Sequence, residues 1–256
     1  MSQAVLCEQK ENTAIITINK PKANQLSNEV FEEMQAALDK CEEQAGLRSL
    51  IITAAGEKIF CGGADLSSGF GNHTPMEFIK RGQDMNNRIE SFPVPVIAAM
   101  NGHAFGGGLE LAMACHFRIL NQESRIGLTE TNLGIMPGYG GTLRLPRYVG
   151  RARALQMMIF GEQIDAPEAL NCGLVNQICE PDKVMQEAMQ LAEKIAKRPP
   201  LAVKGILGLM SRSPDLSVSE HLEQEREQLV KLFESKDMME GMTAFMQKRD
   251  PEFTGQ

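Results

Sequence analysis

The stretch Asn101–Phe117, NGHAFGGGLELAMACHF, decides how this chain is read. Three consecutive glycines, Gly106–Gly108, run into a segment that is apolar nearly all round, with one carboxylate, Glu110, at its start. Glycines ahead of a helix let another group approach the backbone closely and leave the first helical N–H groups unpaired. The helix field is positive there, so an anion or a developing oxyanion is favoured. The run is not a P-loop, since no Gly-Lys-Ser/Thr follows, and not a dinucleotide fingerprint, since the G-x-G-x-x-G spacing is absent. An oxyanion hole remains. Taken alone, Glu110 reads equally well as a helix-dipole residue. Its neighbours Leu109, Leu111, Ala112, Met113 and Ala114 predict a buried helix, where a carboxylate needs a partner or a use.

Working outward, the apolar run Val96-Ile97-Ala98 leads into this loop, and Ile51-Ile52 followed by Phe60 leads into a second one, Gly62-Gly63-Ala64. Two Gly-rich loops after comparable strands predict loops lying side by side, each offering one N–H. VLCEQKENTAIITIN reads as a hairpin turning at Lys10–Asn12. Phe31, Met34, Leu38 and Cys41 give the face of a helix capped by Ser27 or Asn28. MEFIKRGQDMNNRIESF is a further helix ending before Pro93, and KIFCGGADLSSGFGNHTP reads as one long loop. The alternation of strands and helices implies an α/β domain with right-handed crossovers. After about residue 145 strand signals thin out and helical patterns take over, with Gly161 and Gly173 as helix stops. The Met- and Phe-bearing C-terminal helices predict packing on the core or on a second subunit.

The 256 residues carry a net charge of −7, which argues against a nucleic-acid partner held through phosphates. The longest uncharged run, Ser91–Leu109, is broken by Pro93, Pro95 and four glycines and does not read as a membrane-spanning helix. The N-terminus has no basic or apolar leader pattern, and the six cysteines are scattered without a Cys-x-x-Cys pair. The expectation is a cytoplasmic protein with reduced thiols, no structural metal and no membrane association. A second carboxylate, Glu130, lies in RIGLTETNLGIMPGYGGTLRLPR; in isolation it reads as a solvated loop residue.

Together, IFCGGADL (59–66), NGHAFGGGLELAMACHFRI (101–119), GLTETNLGIMPGYGGTLRLPRYVG (127–150), GLV (173–175) and EGMTAFMQKR (240–249) resemble the enoyl-CoA hydratase/isomerase, or crotonase, family over essentially the whole chain. The resemblance implies a crotonase-like spiral of repeated ββα units over 1–195, holding the CoA and active site, and a C-terminal helical trimerisation region over 196–256. It implies an acyl-CoA thioester as substrate, no cofactor beyond the coenzyme A that is part of the substrate, and a homotrimer or dimer of trimers. By motif position the oxyanion hole falls to the N–H groups of Ala64 and Gly107. Family hydratases carry two glutamates, at Glu110 and Glu130 here, whereas members that only isomerise typically lack the first. The implied reaction is water addition across C2=C3 of a trans-2-enoyl-CoA, with Glu110 as base and Glu130 as acid. Another acyl-CoA chemistry of the family is the alternative, and an RNA-binding or scaffold role the remoter one.

The resemblance also places Lys22 and Ala23 along the CoA, Lys58 near its adenine and phosphates, and Ala64, Asp65, Leu66 and Gly107 around the substrate. Phe245 and Lys248 match residues that reach a neighbouring subunit's CoA. Gly62, Ser67 and the loop SSGFGNHTP depart from the family pattern along the acyl path. Among the remaining residues, Cys61 reads as buried filler, since nothing in its motif could activate it. His103 reads as structural, Asp65 as the cap of a helix after its loop, Tyr139 as an acyl-chain contact or a packing residue, and Arg144 as a tie within its own loop.

Overall fold

The computed structural model describes residues 3–20, 22–212 and 216–256. Its first half is a strand-strand-helix unit run four times. The units are β1 (Val5–Lys10), β2 (Thr13–Ile18) and α1 (Asn28–Glu42); β3 (Ser49–Ala54), β4 (Ile59–Cys61) and α2 (Pro75–Glu90); β5 (Val96–Met100), β6 (His103–Phe105) and α3 (Gly107–Ala114); and β7 (Phe117–Asn121), β8 (Arg125–Gly127) and α4 (Gly141–Val149), with a 3-10 turn at Glu130–Leu133 before α4. They are followed by α5 (Arg151–Phe160), β9 (Gln163–Asp165), α6 (Ala166–Asn171), β10 (Gln177–Cys179), α7 (Val184–Ala196), α8 (Pro200–Arg212), α9 (Val218–Phe233) and α10 (Lys236–Gln247).

The units close into two sheets, a six-stranded one in the order β1-β2-β3-β5-β7-β10 and a four-stranded one in the order β4-β6-β8-β9. β3 and β5 are buried at every position, as their unbroken apolar runs require of strands covered on both faces. The helices α1 to α3 pack on one side. On the other, Val184, Ala188 and Ala192 of α7 close over Ile15, Ile51, Ile97 and Ile119. Local chemistry sets the helix starts. Ser27 accepts the Val30 N–H at the head of α1, and Thr74 with Glu77 forms a reciprocal capping box at α2. Among the described residues no side chain of α8 or α9 is buried, and Phe233, Met239, Met242, Phe245 and Met246 expose apolar surface.

Three features differ from the sequence reading. Ile59–Cys61, read as part of a long loop, and His103–Phe105, for which no element was expected, are short strands; three residues are too few for a periodicity to register. β9 and β10 likewise fall in the stretch where only helices were expected. Asp65 caps no helix: α2 begins ten residues later, capped by Thr74, and Asp65 instead accepts from Lys20 Nζ, Ser67 Oγ and the Ser68 N–H, fixing its own turn.

The β4–β6 pairing matters most for the site. It is parallel, with Ile59 opposite His103 and Cys61 opposite Ala104. The two glycine loops that follow these strands therefore leave from the same end of the sheet, side by side.

Candidate active site

At the end of β4 the chain runs Gly62-Gly63-Ala64 beside the loop that precedes α1. Gly62 N–H donates to Ala23 O, Leu26 N–H to Gly63 O and Asp65 N–H to Leu26 O, at 2.8 to 2.9 Å. This clamp uses the groups on either side of Ala64 and leaves the Ala64 N–H without an acceptor among the described residues. At the end of β6, α3 makes its first helical bond from Glu110 N–H to Gly106 O, so the N–H of Gly107, one turn earlier, is also unpaired. The two nitrogens are adjacent: a Cβ built on Gly63 would lie 3.4 Å from Gly107 N, and one built on Gly107 would lie 3.4 Å from Ala64 N. Both open on a cleft of about 690 Å³ whose walls include Leu66, Phe70, Ile79, Ile135 and Met136.

Glu110 is 1% exposed and borders this cleft. Its Oε1 accepts the N–H groups of Tyr139 at 2.8 Å and Gly141 at 2.6 Å, which fixes the carboxyl against the head of α4. Burial pushes its pKa from an ordinary 4.5 up to about 7, and the charge of Glu130 pushes the same way. The two backbone donors and the positive charge of Arg144 oppose the rise. Glu130 opens the 3-10 turn and points back at the first glycine loop, its Oε1 3.0 Å from where a Cβ on Gly106 would be. Its pKa is also raised, chiefly by burial, and its Oε2 is buried without a hydrogen-bond partner among the described residues. The fold therefore turns the solvated loop carboxylate of the isolated-sequence reading into a half-buried group on the cleft wall.

Arg144 is 2% exposed and holds the loop between the turn and α4. Its guanidinium donates to Tyr139 O, Asn87 Oδ1 and Glu90 Oε2. Asn86 Nδ2 donates to the same Tyr139 carbonyl. Sequence reasoning named Arg144 but missed Asn86 and the two backbone donors to Glu110. The Gly140-Gly141 pair was the available signal, since it permits a close approach of side chain to backbone. Tyr139 both packs and lines: its ring meets Phe31 edge-on at 5.8 Å and also borders the cleft.

The other expected residues divide. Leu66 lines the cleft; Asp65 does not, being occupied by Lys20 and its own turn. Lys22 and Lys58 flank a separate shallow pocket of about 320 Å³ with Asn24, Glu57 and Ile59, and Ala23 ties the edge of that loop to Gly62. Phe245, 82% exposed, and Lys248 sit at the end of α10 and border neither pocket. Cys61 is fully buried with its thiol pushed up to about 12, an inert state. His103 accepts the Arg125 N–H through Nδ1 and stacks on Phe105, a structural role. No helix is long and apolar enough to cross a membrane among the described residues.

The comparisons with known proteins agree with this geometry. The family model for enoyl-CoA hydratase/isomerase matches residues 8–256. A probable enoyl-CoA hydratase of Bacillus subtilis is 45% identical over 247 residues, 95% of each chain. A short-chain-enoyl-CoA hydratase of Clostridium acetobutylicum is 39% identical, over 96% of this chain and 95% of its own. Among solved structures, an enoyl-CoA hydratase from Bacillus anthracis superposes with a TM-score of 0.94 at 37% identity, covering 99% of this chain and all of that one. Repeated ββα units, paired glycine loops and a match running from β1 to the last residue make this chain a member of the enoyl-CoA hydratase/isomerase family.

Proposed function

We propose that the protein hydrates trans-2-enoyl-CoA thioesters to 3-hydroxyacyl-CoA. One observation carries the reading: two carboxyl groups, the buried Glu110 and the half-buried Glu130, face a single apolar cleft at whose head two backbone N–H groups are unpaired among the described residues. The thioester oxygen accepts from Ala64 and Gly107, which stabilises the enolate that forms when a nucleophile adds at C3. A water held between the carboxyls supplies that nucleophile. As its oxygen bonds to C3, its proton passes to one glutamate while the other protonates C2 on the same face. The pair ends with the same number of protons it began with.

Glu110 suits the base, because its Oε1 sits in a seat of two N–H donors that only an acceptor can use. Glu130 suits the acid, because an unpartnered buried oxygen is tolerated better on a neutral carboxyl than on a charged one. Each pKa is raised chiefly by burial, and the charge of Glu130 raises that of Glu110 further, so the two carboxyls titrate as a coupled pair. Among the described residues the cleft wall contains no Lys, Arg or His, which favours an uncharged aliphatic acyl chain. Lys22 and Lys58 line a second pocket, and two cations there suit the phosphates at the nucleotide end of CoA. Names borne by relatives, a short-chain-enoyl-CoA hydratase among them, support the same class of substrate.

The test is loss of the enoyl absorbance of crotonyl-CoA, followed by a panel of longer acyl chains. The expected result is turnover by the wild type and a loss of about 10²- to 10⁴-fold in Glu110→Gln. Equal rates for the two proteins, or a wild type inactive on every chain length, would refute the reading.

A further inference from the structure

We propose that Cys7 and Cys41 form a reversible intramolecular disulfide when the protein meets a small oxidised thiol compound such as oxidised glutathione. The two Sγ atoms are 3.9 Å apart across the β1–α1 contact, the one thiol–thiol contact among the described residues. Neither belongs to the cleft. Cys7 is exposed on β1, whereas Cys41 is 2% exposed in the last turn of α1. A shallow cup walled by Glu8, Lys40 and Gln44 opens on the pair and gives a small reagent access.

A disulfide requires the sulfurs at about 2.05 Å, so the contact has to close by about 2 Å. β1 can supply this movement. It is the edge strand of its sheet, hydrogen-bonded on one side only, with Cys7 opposite Ile16 of β2. The remaining cysteines have no such neighbour: Cys61 and Cys115 are sealed in the core, and Cys172 and Cys179 each lack a second thiol in contact.

The order of events follows from exposure. Cys7 meets the reagent first. Its thiolate attacks one sulfur of oxidised glutathione, the S–S bond breaks, and one glutathione leaves as the thiol after taking a proton. The sulfur of Cys41 then attacks the Cys7 sulfur, loses its proton to solvent and releases the second glutathione. Two protein thiols are oxidised and one disulfide is reduced to two thiols, so atoms and electrons balance. Burial and the Cys7 contact push the Cys41 thiol up to about 12, which makes the second step the slow one and suits Cys41 to resolving rather than to first attack.

The bond would staple the N-terminal strand to the far end of α1. The near end of that helix begins next to Leu26, which bridges Ala64. Fifteen helical residues separate the ends by about 21 Å. The disulfide therefore acts on stability and leaves turnover unchanged.

The experiment incubates the full-length folded protein with oxidised glutathione, alkylates the remaining thiols after denaturation, and maps non-reduced peptides by mass spectrometry. The expected result is a Cys7–Cys41 linked peptide, four alkylated cysteines, and a melting temperature about 5 °C higher that returns on reduction. Cys7→Ser, at an exposed position, should keep the fold and lose both link and shift. Cys41→Ala should retain glutathione on Cys7. The proposal is overturned if wild-type Cys7 keeps its glutathione while Cys41 is alkylated, if no adduct or link forms, or if the link joins other cysteines.

Discussion

The Oε1 atom of Glu110 lies 2.6 Å from the backbone nitrogen of Gly141, and a Cβ at position 141 would lie 2.9 Å from that same oxygen. The first residue of α4 thus touches the carboxyl through its N–H and has no room for a side chain. The added methyl would also meet Leu128 Cδ1 at 2.8 Å and Pro137 Cβ at 3.0 Å, so no direction is open to it. Gly141→Ala should displace Glu110 while leaving the cleft mouth and the Lys22–Lys58 pocket intact. The expected outcome is a fall in kcat of about 10²-fold with KM nearly unchanged, read in crotonyl-CoA hydration with circular dichroism confirming the fold. A variant with wild-type kcat would show that the seat at Gly141 does not position the carboxyl.

The same carboxyl links stability to pH. Its pKa is about 7 in the folded protein against 4.5 when exposed, so the folded state binds the proton more tightly. Below pH 4.5 both states are protonated and the group contributes fully. Between 4.5 and 7 the unfolded chain ionises first, and stability falls; above 7 the loss is complete. The shift corresponds to at most about 3 kcal/mol. Glu110→Gln keeps an acceptor for Tyr139 and Gly141 but cannot ionise. It should match the wild type near pH 4 and exceed it above pH 7 by up to that amount in denaturant titrations, while its activity collapses. In the wild type, kcat/KM should decline below pH 7 as the base takes a proton. A wild-type acid limb surviving in Glu110→Gln would assign the titration to another group.

How far these features could be read from the sequence depends on which atoms carry them. The two unpaired N–H groups were legible because glycines mark backbone left open to approach, Gly63 in one loop and Gly107 in the other. Glu110 was legible because a charge inside an apolar helix has to be explained. Glu130 was legible only through the family resemblance, since its partial burial comes from a 3-10 turn folding against Gly106, a contact with no local pattern. The strands β4 and β6, which bring the loops together, are three residues each and leave no alternation to detect. Asp65 looked like a helix cap because Asp is a common one; the partner that claims it, Lys20, is 45 residues away.

The proposed oxyanion hole can be tested by separating a methyl from a missing proton. Gly107 opens α3, a position whose N–H has no helical partner and where proline's fixed φ is accepted. Any side chain there meets the Tyr139 ring, with Cδ2 at 2.8 Å from the Cβ position. Gly107→Ala suffers this contact but retains the N–H; Gly107→Pro suffers it and loses the donor. The ratio of their kcat values isolates the hydrogen bond, and about 10²- to 10³-fold is expected. Comparable rates in the two variants would remove Gly107 from the mechanism.

The exposed apolar face of α9 and α10 bears on assembly. Phe233, Met239, Met242, Phe245 and Met246 are each more than half exposed, more apolar surface than a lone chain usually leaves in one region. Self-association through the C-terminal helices would cover it and, as the family resemblance implies, would bring Phe245 and Lys248, which border neither the cleft nor the Lys22–Lys58 pocket, toward the CoA end of a neighbour. Light scattering should then give a mass of three or six chains. Lys248→Ala should raise KM for acyl-CoA several-fold with kcat held, because a remote ion contact to substrate acts on uniform binding. Phe245→Glu, burying a charge in the interface, should shift the mass toward single chains. A monomeric wild type with unchanged KM in Lys248→Ala would confine the whole site to one chain.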